Sequence, residues 1–224
     1  MRIALAVTGL VLLLAGCAAE TPVAAPAPSA DPPSSSAVGS VPVSASASAA
    51  PVAKDLTKYL PSDEQLSAAR VRIQRRRTPV SPGASLRVVR ACGADQPWDS
   101  AAQNGAQAVS VTDQMQIGEL LAEYRGFSGE QVVSGLRTAL DCGNAVVEGR
   151  RLAVKSRFSF PGVDDPHLGF CGQFNARVAG CVLVFAHGNR VLALTAAGWL
   201  ATAEDQQAEL KRLAPTFTAA FDQD

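Results

Sequence analysis

Residues 169–196 read Gly169-Phe-Cys-Gly-Gln-Phe-Asn175, then Ala-Arg, then Val178-Ala-Gly-Cys-Val-Leu-Val-Phe-Ala-His187, then Gly-Asn, then Arg190-Val-Leu-Ala-Leu-Thr-Ala196. Three runs rich in β-branched and aromatic residues are separated by two short breaks. Gly188-Asn189 is a two-residue turn signal, and strands joined by such turns are antiparallel neighbours. If Asn175–Arg177 is the other turn, Cys171 and Cys181 face each other across it. An antiparallel sheet with at least these three strands is therefore expected.

Working outward, residues 85–91, 106–112, 115–124 and 152–160 also read as strands. Helices are marked by their caps. Ser62-Asp-Glu-Gln65 and Ser128-Gly-Glu-Gln131 fit the capping box, in which the first and fourth side chains satisfy each other's free backbone donors. The first would carry Leu66, Ala69 and Ile73 on one face, the second Val132, Val133, Leu136 and Leu140. Thr202-Ala-Glu-Asp205 is a weaker version before a terminal helix bearing Leu210, Leu213, Phe217 and Phe221, and Pro215 is expected to kink or split that helix. The fold class is α+β: one domain over 55–224, an antiparallel sheet with helices on one face.

The beginning of the chain has a different character. Arg2 is the only charge before Glu20, and an apolar run from Ile3 to Leu14 follows it. That is a secretory signal, too short for a membrane-spanning helix of about 20 apolar residues. Its end, Leu14-Ala15-Gly16-Cys17, resembles the lipobox of bacterial lipoproteins. The resemblance implies that residues 1–16 are removed, that Cys17 carries lipid, and that the protein is held on the extracytoplasmic face of the cell membrane. Multiple acylation would supply the stable anchoring that one chain does not. From Ala18 to Lys54 the chain is mostly Ala, Ser, Pro and Val, with no aromatic residue. Such a stretch cannot bury enough surface to offset its ordering entropy, so 17–54 is expected to be a lipidated tether with a span of roughly 35 Å.

Beyond Cys17 four cysteines remain, Cys92, Cys142, Cys171 and Cys181. In an exported domain an even number reads as disulfides, with three pairings open; the hairpin favours Cys171–Cys181 and leaves Cys92 with Cys142. A zinc site is the alternative reading, but no Cys-x-x-Cys spacing exists and only His167 and His187 are available to help. No metal and no cofactor is expected.

The order of a Ser-capped helix ending in Leu140-Asp-Cys142, a polar turn, strands, the hairpin His187-Gly-Asn-Arg-Val-Leu-Ala-Leu and a last helix resembles the actinobacterial sensor-domain lipoproteins, similar to the PknH-like extracellular sensor domain. The resemblance covers roughly residues 58–222. It implies a compact α+β domain with two disulfides and a cleft for an undefined ligand, and it brings no catalytic set.

Lys and Arg total 20 and Asp and Glu total 20, so no overall basic footprint for nucleic acid exists. Arg75, Arg76 and Arg77 head the clearest charge cluster, with no acidic residue between Glu64 and Asp95. A helix end and solvated loop explain it; the sharper reading is a patch for anionic surfaces, worth about 1 kcal/mol per residue there. Trp98 and Trp199 are candidate cleft residues, core packing being their ordinary role. Asp164-Asp-Pro-His167 reads first as a turn, and Ser128 in Gly126-Phe-Ser-Gly129 as a helix cap, since Gly-x-Ser-x-Gly is absent. No catalytic residues assemble. The expectation is a non-enzymatic lipoprotein that binds a small ligand or an envelope protein, the alternatives being an envelope hydrolase or a structural docking protein.

Overall fold

The structure, a computed structural model, describes residues 54–81, 86–160, 165–198 and 201–223. Cys17, the signal segment, most of the tether and Trp199 lie outside the described residues.

The opening stretch forms the middle of a sheet. β7 (His167–Asn175), β8 (Val178–His187) and β9 (Arg190–Gly198) are antiparallel neighbours. Towards one edge β9 pairs with β4 (Gln116–Tyr124), β3 (Ala102–Val111) and β1 (Arg72–Val80). Towards the other, β7 pairs with β6 (Arg150–Phe158), β5 (Asn144–Val147) and the two-residue β2 (Arg90–Ala91). The nine strands make one sheet, order β1-β3-β4-β9-β8-β7-β6-β5-β2, antiparallel throughout. The α+β class and both disulfides stand. Cys171 and Cys181 are opposite residues with Cα atoms 4.0 Å apart, and Cys92 is bonded to Cys142.

Helices cover both faces, not one. α1 (Asp63–Ala68) and α3 (Ala203–Phe221) pack with Leu183, Phe185, Leu192 and Leu194. α2 (Gly129–Ala139) packs with Val182, Val184, Ala186 and Val191 on the reverse side. The reason is visible in Val182-Leu-Val-Phe-Ala186. A sheet with one wet face alternates apolar and polar residues, whereas this run is apolar on both parities and must be covered twice.

All three capping boxes form as the residues dictate. Two helix expectations change. α1 ends at Ala68 because Arg70 takes a left-handed φ of 56° and turns the chain into β1; Ile73 reaches the first core from a strand instead. α3 runs unbroken through Pro215. A helix-interior proline costs about 3 kcal/mol, and the burial of Leu213, Ala214, Phe217 and Phe221 around it offsets that. β1 tolerates Pro79 because it is an edge strand, and its arginines and two register shifts discourage further pairing there.

Candidate ligand cleft

The β5–β6 hairpin closes on Glu148-Gly149, both at positive φ (49° and 75°), with Val147 paired to Arg150. A two-residue turn of this kind needs left-handed residues at both positions. Glycine adopts that conformation without cost, while a non-glycine residue pays roughly 1–2 kcal/mol for it. The tip folds back over the sheet, so the Glu148 carboxylate comes down on Gly118 of β4, where any Cβ would collide with it. Thr195, opposite Gly118 on β9, lines the same space as that carboxylate. Burial raises the Glu148 carboxyl above the usual range; Arg150, Thr195 and Arg75 pull in the opposite direction.

Glu148 thereby divides a cleft between the two ends of the curled sheet. On one side a cavity of ≈ 320 Å³ is lined by Gln116, Gly118, Arg150 and Thr195. On the other a cavity of ≈ 640 Å³ is lined by Arg75, Arg87, Arg90 and Gln107, with Gln116 and Glu148 common to both. Arg87 and Arg90 are steadied by Asp95, at 2.7 and 3.2 Å, and Arg90 also donates to the Gly93 carbonyl (2.6 Å). Guanidinium groups, a carboxylate and two amides facing one space suit a polar ligand with an anionic group and a donor.

The predicted residues are distributed unevenly over this geometry. Arg75 lies in the cleft. The bulge between Arg75 and Thr78 sends its neighbours elsewhere. Arg77 pairs with Asp63 of α1 at 2.7 Å, and Arg76 lines a different cavity beside Ile73 and Asp63. Trp98 is buried in the second core with its ring against Gly135 of α2, and it lines none of the three described cavities. His167 is part of the framework: Nε2 accepts from the Phe160 amide (2.9 Å) and Nδ1 faces the Asp165 carbonyl (3.0 Å). Ser128 accepts from the Gln131 amide, as a cap does. Glu148, Gln116, Arg150 and Thr195 were not expected. Val147-Glu-Gly-Arg150 was the available signal, a turn dipeptide between apolar residues.

No family model matches the chain, and no curated protein matches it. Among solved structures it is similar to the extracellular domain of PknH from Mycobacterium tuberculosis (12% identity, TM-score 0.41), covering 71% of this chain and 93% of that one. It is also similar to a putative uncharacterized protein from Mycobacterium smegmatis (16% identity, TM-score 0.45), covering 75% and 97%. The PknH-like sensor domain named from the order of elements and cysteines is thus among the structures this chain is similar to, and no residue role passes from either neighbour.

Proposed function

We propose that this protein is a lipoprotein anchored through Cys17 to the extracytoplasmic face of the cell membrane, and that its folded domain is a non-catalytic binding module with its ligand in the Glu148 cleft. One observation carries the ligand site. The sheet's curl sets a strained turn residue over a strand glycine and so holds a carboxylate among guanidinium groups, and strain kept at a polar cleft is a mark of function. The ligand is small and polar, carrying a carboxylate or phosphate for Arg75 and a donor for Glu148. The tether lets the domain reach it away from the membrane.

Polar fragments bearing a carboxylate or a phosphate test this by ligand-observed NMR on the purified chain. Binders are expected that lose affinity at least about tenfold in both Arg75→Ala and Glu148→Gln, the cost of one charge-assisted hydrogen bond. Binders indifferent to both substitutions, or a complete lack of binders at millimolar concentration, would overturn the cleft. The anchor has its own test. The expressed chain should sediment with membranes, and Cys17→Ser should move it to the soluble fraction; unchanged sedimentation would remove lipidation from the reading.

A further inference from the structure

Away from the cleft, three side chains from three separate elements converge. Asp165 precedes β7, His187 ends β8 and Asp222 caps the C-terminus of α3. One ligand atom from each lies within 4.8 Å of the others. His187 Nδ1 is 3.4 Å from Asp222 Oδ1 and 3.8 Å from Asp165 Oδ1. A tetrahedral ion with bonds of about 2.0–2.1 Å to nitrogen and oxygen sets its ligand atoms about 3.4 Å apart, so the three already stand near the corners of such a site.

The surroundings point the same way. Asp222 Oδ1 is closed off from solvent, and the groups beside it are Asp165 and His187. Burial raises the Asp222 carboxyl, and the neighbouring Asp165 charge raises it further, while His187 and Arg190 lower it. Two carboxylates this close repel each other, and a shared proton or cation relieves that repulsion. Arg190 of β9 also acts on Asp222, but its guanidinium lies over the Tyr59 ring at 3.8 Å and donates to the Gln223 carbonyl (3.3 Å). The Phe221 ring meets the His187 imidazole edge-on, 6.2 Å between centroids, and gives the cluster an apolar wall.

We propose that Asp165, His187 and Asp222 form a binding site for a divalent transition-metal ion, Zn²⁺ by its donor set. One imidazole and two carboxylates suit zinc better than the all-oxygen cages of Mg²⁺ or Ca²⁺. Three protein ligands leave a fourth position for water or an outside donor. The ion ties the end of α3 to the β8–β9 turn and to the start of β7, so its binding stabilises the folded chain. Ligands must shed their protons to bind, so affinity falls as the pH is lowered.

The test is calorimetric titration of the purified, tag-free full chain, first stripped with EDTA, with Zn²⁺ and in parallel with Mg²⁺ and Ca²⁺, the melting temperature being followed in each. One equivalent of Zn²⁺ is expected to bind and raise the melting temperature by several degrees. Mg²⁺ and Ca²⁺ should do neither at the same concentration. His187→Gln and Asp165→Asn should each weaken zinc by more than the roughly 10- to 100-fold lost with a second-shell partner. Both alter partly exposed side chains, and circular dichroism checks that each variant remains folded. Zinc binding that survives both substitutions places the ion elsewhere and overturns the proposal. So does a folded chain that takes up no zinc, which would make the cluster a His–carboxylate ion-pair network only.

Discussion

Replacing Cys92 and Cys142 together by serine should lower the stability of the domain by about 4 kcal/mol, or roughly 10 °C in melting temperature for a domain of this size. The bridge closes a loop with a sequence separation of 50, and the entropy withheld from the unfolded chain grows with that length. The folded state also leans on it locally. Cys92 has a left-handed φ of 57° directly after the two-residue β2, and Cys142 closes the 3₁₀ turn after α2. Between them β2 is held to β5 by only two paired positions, Arg90 with Val146 and Ala91 with Ala145. Without the bridge this edge is expected to fray, taking Arg87 and Arg90 out of the cleft. The Cys171–Cys181 bridge has a separation of 10 and sits inside a ladder already paired along its length. Its removal should cost less, about 3 kcal/mol. Urea denaturation of the two double-serine variants, with m fitted for each, decides the order. Equal losses, or a larger loss from Cys171–Cys181, would show that loop length does not govern these bridges.

Both bridges were legible in the sequence, the short one from a hairpin and the long one as the pairing that remained. Cys171 and Cys181 oppose each other because of a local turn, and local turns can be read from residues such as Gly188-Asn189 and Asn175–Arg177. The same holds for the caps Ser62, Ser128 and Thr202, each settled within four residues. Ile73 was misread because Leu66, Ala69 and Ile73 fit a helical period equally well; what decided against the helix was one backbone angle at Arg70. The second helix-covered face was written in Val182–Ala186, as apolar residues on both parities, but a continuous run is consistent with more than one burial. The cleft was out of reach for a different reason. Gly118 and Glu148 meet only because the six neighbouring strands from β4 to β5 curl, and no local pattern encodes that closure. The arginine triplet shows the converse. Three adjacent like charges read as one patch, but Arg75 lines the Glu148 cleft while Arg76 and Arg77 line another cavity beside Asp63.

Stability should fall as the pH rises from about 4.5 to about 7, and Glu119→Gln should remove most of that slope. Glu119 lies on β4, 3% exposed, where its Oε1 accepts from the Ser110 hydroxyl (2.5 Å) and its Oε2 has no partner. Burial pushes its carboxyl up from 4.5 to about 7, against the hydrogen bond from Ser110 and the charge of Arg77. In the unfolded chain the group releases its proton near the ordinary value, whereas the folded chain keeps it until about 7. Below the lower value both states hold the proton and the protein is at full strength. Between the two, unfolding releases a proton, so each increment of pH favours the unfolded chain. Above the upper value both states are ionised and the loss levels off, at up to about 3 kcal/mol for a shift of this size. Glutamine keeps the shape and the acceptor for Ser110 but cannot ionise. The variant should therefore overtake the parent in stability near pH 8 while matching it more closely near pH 5. Glu148 and Asp222, also raised by burial, add slope of the same sign to both proteins, so the informative quantity is the difference between them. Denaturant midpoints measured from about pH 5 to pH 8 supply it. A difference that stays constant over that range would mean that Glu119 is ionised at every pH tested and that Arg77, whose Nε and Nη2 are enclosed without hydrogen-bond partners, holds its charge more firmly than burial opposes it.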